Sequence, residues 1–260
     1  SPNITGTWLN SKSDGEVQAI YVLVGGSNAA EATSIQGNKI KNITISGTGW
    51  TNFVGIRVEE GRVKIGDVVG NVIGSEDNTP DNIISNGSGG AFLTEDAAVM
   101  GIWTQTSSET IIENNLISGL STGLGLYCFL DGIAHGSNLY FNGIQYNNQG
   151  GRAVIRNNQI KNNRSSSNLQ NSTVSNEGMI SMFVYTNSMT NIIEENVIEN
   201  NGCNAISARN VRIHGVMLGV FGQIGNHGGV FRKNTIAALA NGNVGEAGNV
   251  APEINGLALN

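Results

Sequence analysis

Side chains able to do acid–base or metal chemistry are few and scattered along this chain. Three histidines occur, His135 in "DGIAHGSN", His214 in "VRIHGV" and His227 in "GNHGG". Asp131 lies close enough to His135 in sequence for the two to form a general acid–base pair. Glu59 and Glu60 are adjacent, and in a strand neighbouring residues point to opposite faces. They therefore cannot bracket a glycosidic bond at the separation of about 5–9.5 Å that hydrolysis needs. The one dense acidic group is Glu76, Asp77 and Asp81 in "GSEDNTPDN" (74–82). It could hold Ca²⁺ through hard oxygen ligands, and a solvated acidic loop is the plainer reading. No phosphate loop, nucleophile elbow or metalloprotease helix is present. Cys128 and Cys203 match no zinc or redox spacing and read as two buried thiols or as one disulfide. No catalytic residue is assigned, and Ca²⁺ is the only cofactor the residues suggest.

Composition narrows the partners. Charged residues make up 13% of the chain, about half the usual share of roughly 25%, whereas Gly numbers 36 and Asn 37. The formal net charge is −6 with 14 Lys+Arg, which argues against a nucleic-acid or anionic-membrane surface. No apolar run approaches the ~20 residues of a membrane span. With 39% hydrophobic residues the chain has enough apolar surface to fold.

The elements that position these residues come from an internal repeat. Asparagine interrupts aliphatic pairs in "SIQGNKI" (34–40), "KIGDVVGNVI" (64–73), "TIIENNLI" (110–117), "AVIRNNQI" (153–160), "NIIEENVI" (191–198) and "GVFRKNTI" (229–236). The matching residues are Asn38, Asn71, Asn115, Asn158, Asn196 and Asn234. Before each block a small residue opens an alternating run: "AIYVLV" (19–24), "GIRVEE" (55–60), "GIWTQT" (101–106), "GIQYNN" (143–148), "GMISMFV" (178–184) and "GVMLGVF" (215–221). Strand, turn, strand, Asn and strand in each unit describe an all-β parallel β-helix of six or seven coils over residues 1–260, one domain in all. Crossovers between parallel strands favour right-handedness. The asparagines are expected at tight left-handed corners, with their amides stacked coil on coil as a structural ladder. Residues 1–18 read as an N-terminal cap with Trp8 closing the interior. Residues 253–260 read as the opening strand of a further coil, pairing with the coil of Val216 and Leu218. A flanking domain or a partner chain is then expected to meet that end.

In the first strand of each coil the residue between the two apolar ones points outward. One outward row reads Tyr21, Arg57, Trp103, Gln145, Ile180 and Met217; the next holds Glu59, Gln105, Asn147 and Met182. Aromatic faces stack on sugar rings while Arg and amides bond hydroxyls, so Tyr21, Arg57, Glu59, Trp103, Gln105, Gln145 and Asn147 are candidate glycan contacts. The apolar end of the face, Ile180, Met182 and Met217, reads as a contact patch for a loop, a domain or a partner chain.

The "I-x-x-N-x-I" block after a "G-I-x-V" strand, over roughly residues 19–236, resembles the right-handed parallel β-helix repeat proteins, the superfamily that includes pectate lyases. The resemblance implies an extracellular or cell-surface protein, bacterial or viral, among lyases, hydrolases, tailspikes and adhesins. A polygalacturonase-like member would carry paired aspartates and a Gly-His-Gly segment. This chain has "GNHGG" (225–229) but no Asp pair. The expected role is a scaffold or a carbohydrate-contacting, adhesive module of a larger protein. A polysaccharide lyase or glycoside hydrolase acting along the first-strand face, and a structural stalk, are the alternatives.

Overall fold

The computed structural model describes residues 3–9, 14–47, 50–76, 83–87, 97–122, 128–141, 144–165, 176–203, 211–219, 229–241 and 253–259. Among them every regular element is a strand. The first sheet has seven parallel strands in chain order: Asp14–Val24, Trp50–Glu60, Ala97–Thr104, Cys128–His135, Asn176–Val184, Val211–Leu218 and Glu253–Leu259. The second has six short strands, from Thr33–Ile35 to Gly229–Arg232. The third has twelve, in two columns that share Lys39–Gly47. The chain visits the three sheets in turn and then begins again, an arrangement consistent with a parallel β-helix.

The repeated motifs explain this geometry residue by residue. In "I-x-x-N-x-I" the first apolar residue faces the core from the second sheet and the last from the third. Ile40, Ile73, Ile117, Ile160 and Ile198 stack in register and are all buried. Each such side chain contributes about 1.5–3 kcal/mol by leaving water. The glycine before the first-sheet isoleucine faces this column. A Cβ on Gly101 would lie 2.8 Å from a methyl of Ile117 and 2.5 Å from the Gly132 carbonyl, so no larger residue fits without a shift. Ser181 holds the equivalent place in the strand after that of Gly132, and its hydroxyl accepts from the Asn201 amide at 3.1 Å.

The asparagine ladder is continuous. Each Nδ2 donates to the next Oδ1, from Asn38 to Asn71, Asn115, Asn158, Asn196 and Asn234, at 2.8–3.0 Å. Each backbone N–H donates to the same Oδ1 at 3.0–3.1 Å. From Asn71 onward, Nδ2 also donates to a carbonyl of the preceding turn, such as Ile112 for Asn158 at 2.9 Å. Two donors and two lone pairs are thereby satisfied inside the stack.

The left-handed corner lies elsewhere than expected. At five of the six ladder positions positive φ belongs to the residue before, Gly37, Asn114, Asn157, Glu195 and Lys233, whereas before Asn71 it falls at Gly66 and Asp67. The ladder asparagines are selected by hydrogen bonding alone. A second ladder, unforeseen in the sequence, runs from Asn163 to Asn201 at 3.1 Å, each following a left-handed asparagine, Asn162 and Asn200.

Two further expectations change. The first-sheet strand of the fourth turn is Cys128–His135, whose Gly132–Ile133 supplies the small-then-apolar pair. Residues 144–148 instead form an antiparallel hairpin with Ser137–Phe141. Met182 takes the inward place beside Ser181, so it belongs to the core with Ile133 and Val216 rather than to an outward patch. At the C-terminal end, Glu253–Leu259 pairs in parallel with Val211–Leu218, Val216 opposite Leu257, as expected. At the other end Asn3–Leu9, with Trp8 opposite Ile45, adds a strand to the third sheet.

Alanine at Asn115, Asn158 or Asn163 should destabilise the fold by about 1–3 kcal/mol each, since neighbouring buried amides lose a partner. Alanine at the exposed Asn187, which lies outside both ladders, should be nearly silent. Denaturant melts of the four variants check this, and equal losses at ladder and non-ladder positions would refute it.

Candidate functional site

The outer face of the first sheet brings Tyr21, Arg57 and Trp103 into one row, with Tyr21 opposite Arg57 and Arg57 opposite Trp103. The Arg57 guanidinium lies 4.6 Å from the Trp103 ring centre and 5.7 Å from that of Tyr21, both within cation–π range. Its Nη1 donates to Glu16 at 3.1 Å and its Nη2 to Glu59 at 2.8 Å, with Gln105 Oε1 at 3.5 Å. Arg57 and Gln105 are buried, whereas Glu16 and Glu59 keep 20% and 29% of their side-chain surface in water. Tyr21 is 47% exposed, and Leu23 beside it is exposed as well. The cluster is a semi-exposed aromatic ring, an arginine neutralised on both sides, and two carboxylates at the solvent boundary.

Glu16 is the member that sequence reasoning missed. Strict alternation from Tyr21 would turn Glu16, five residues before it, to the other face, and only the pairing of Asp14–Val24 with Trp50–Glu60 brings Glu16 to Arg57.

Trp103 lies on the outward face, opposite Ile102, but it is fully buried. With Val54, Met100, Ile180, Phe183 and Met217 it forms a second apolar layer outside the sheet. Parallel sheets are commonly covered on both faces, and this one follows that rule. Ile180 and Met217 are therefore buried rather than an open patch, and they fall in different rows: Ile180 aligns with Asp131 and His214, and Met217 with Phe183. Gln145 and Asn147 lie in the separate two-stranded hairpin and not in a first-sheet strand, paired with Tyr140 and Asn138.

Of the acidic group, Glu76 is exposed and ion-paired with Lys39, while Asp77 and Asp81 lie outside the described residues. Among the described residues no three His, Cys, Asp or Glu side chains converge on a cation position. His227 is outside the described residues too, as is the side chain of Cys128; Cys203 is buried in the core. Asp131 and His135 do not form an acid–base pair, because the strand sends Asp131 to the outer row with Met100 and His135 to the inner row with Thr104.

His135 has a structural role instead. Its Nδ1 lies 2.8 Å from Thr104 Oγ1 and its Nε2 3.0 Å from the Gly151 carbonyl. The carbonyl requires Nε2–H as donor, so Nδ1 accepts from Thr104. Thr186 Oγ1 donates to the same carbonyl at 2.5 Å, closing the base from which the 137–148 hairpin departs. Complete burial lowers the His135 pKa from 6.5 to about 4, against a smaller upward pull from the Gly151 bond.

No protein-family model, curated protein or solved structure matches the chain.

Trp103→Ala should cost about 3–5 kcal/mol, measured by denaturant unfolding, because it empties a large buried site and strips Arg57 of its stacking partner. A loss below about 1 kcal/mol would contradict that burial. His135 makes stability pH-dependent. Its folded pKa lies below the unfolded value, so its contribution is complete above pH 6.5 and lost as pH falls towards about 4, up to about 3 kcal/mol. Urea midpoints measured from pH 7.5 to pH 4.5 should fall less steeply for His135→Gln than for the parent chain.

Proposed function

We propose that this chain is a module of an extracellular or cell-surface protein, a single right-handed parallel β-helix that serves as a scaffold and contacts glycans at the outer face of its first sheet. Three features support the fold part of this reading: the repeated turns, the asparagine ladder and the strong preference of parallel crossovers for the right hand. The repeat's resemblance to the pectate lyase-like superfamily supports the extracellular setting.

One observation carries the glycan reading: an exposed Tyr21 ring backed by Arg57, with Glu16 and Glu59 beside it. A sugar ring can lay its C–H face on the tyrosine while its hydroxyls donate to the carboxylates. Trp103, buried behind Arg57, is the support of this platform and not part of its surface. The contact region is thus displaced from the middle of the sheet to its first two strands, Asp14–Val24 and Trp50–Glu60.

A second reading, a polysaccharide lyase or glycoside hydrolase, draws on the two carboxylates that bracket Arg57. Incubation with acidic polysaccharides separates the two, since a lyase releases unsaturated products and a contact module leaves the polymer intact.

Tyr21→Ala should weaken binding to a recognised oligosaccharide by about 1 kcal/mol or more, with the melting temperature almost unchanged. Calorimetric titration across a glycan panel measures the first and a thermal melt the second. Unaltered affinity in Tyr21→Ala would place the glycan contact elsewhere.

A further inference from the structure

The charge arrangement around Tyr21 carries the glycan reading one step further, to the class of sugar. We infer that the Tyr21 platform favours glycans whose sugars are neutral or carry free amines, and disfavours uronic-acid polymers.

Arginine is the usual partner of a sugar carboxylate because its fork matches the two oxygens. Arg57 has that chemistry but not that availability. It is buried, both terminal nitrogens are engaged by Glu16 and Glu59, and its flat faces lie against Tyr21 and Trp103. A uronate would have to displace one carboxylate and leave it next to another negative charge. Among the described residues at the platform, Glu16 and Glu59 carry two negative charges against one positive charge on Arg57. Glu59, with 29% of its side-chain surface in water, therefore presents a carboxylate beside Arg57 at the platform, in keeping with the chain's net charge of −6. An ammonium group on a sugar stacked against Tyr21 has the partly hydrated Glu59 carboxylate to meet. A neutral sugar can donate its hydroxyls to the same oxygens. A uronate has like charges ahead of it and no accessible cation among these residues.

The inference rests on the glycan reading, and three oligomers of equal length separate their fates: a fully deacetylated glucosamine oligomer with its amines protonated, an N-acetylglucosamine oligomer and an oligogalacturonate. Affinities should fall in that order at low ionic strength. The first should exceed the second about five-fold, and the gap should shrink as salt shortens the Debye length to about 3 Å near 1 M. Glu59→Gln should bring the amine-bearing oligomer down towards the neutral one, with the melting temperature recorded to show that the variant is folded. Oligogalacturonate binding as tightly as the neutral oligomer, or an amine preference unchanged in Glu59→Gln, overturns the inference while the glycan reading stands. If none of the three binds, both are overturned.

Discussion

A carboxamide buried between turns must find two acceptors and two donors, and that requirement governs the rest of this molecule. Asn115 meets it through Asn158 Oδ1 and the Ile65 carbonyl on its donor side, and through Asn71 on its acceptor side. These bonds form only when successive turns superimpose residue on residue. A slip by one position would strand every amide at once, at about 1–3 kcal/mol each. The ladder therefore fixes the register of the flanking strands, and with it the isoleucine columns that fill the core. Connections between turns can vary in length because they lie outside this constraint, as the ladder spacings of 33, 44, 43, 38 and 38 residues show.

Ion pairs between turns follow the same repeat without governing it. Glu113 with Arg156, Glu194 with Arg232 and Glu195 with Lys233 join neighbouring turns along the second sheet and its corner. The Lys233 hydrogen bond holds the Glu195 carboxyl below its ordinary range, and the Glu113 bond raises Arg156. Pairs exposed on both sides, such as Glu195 with Lys233, contribute little each. Their regularity is a consequence of register that the buried amides have already set.

Burial on both faces of the first sheet decides where chemistry can occur. With Trp103, Met100, Ile180 and Phe183 covered, the middle of that sheet offers no surface to a ligand. Tyr21 escapes because Asp14–Val24 is the terminal strand of the sheet. There Arg57 shows its buried faces to the rings and Glu16 and Glu59 show partly open ones to water. The candidate site is thus a property of a sheet end, where the apolar outer layer gives way to charge.

The repeat, the ladder positions and the pairing of the last strand were all readable from residue types and spacing, because a stacked fold imposes the same local environment on every turn. The inward isoleucines of "I-x-x-N-x-I" and the outward place of Arg57 and Trp103 follow from alternation alone. Alternation says nothing of what lies over the outer face, so the burial of Trp103 was decided only by tertiary packing. The sequence offered two small-then-apolar pairs in the fourth turn, at Gly132–Ile133 and Gly143–Ile144. Pairing with Ala97–Thr104 gave the turn to the first of them and released the second into a hairpin. Left-handed corners at Glu195 and Lys233 could not be read from residue preference, since the neighbouring turns impose them. Sequence by itself determined which groups had to be satisfied inside the stack. Only the folded chain, by bringing Glu16 against Arg57 across two strands, decided which charges would meet at its surface.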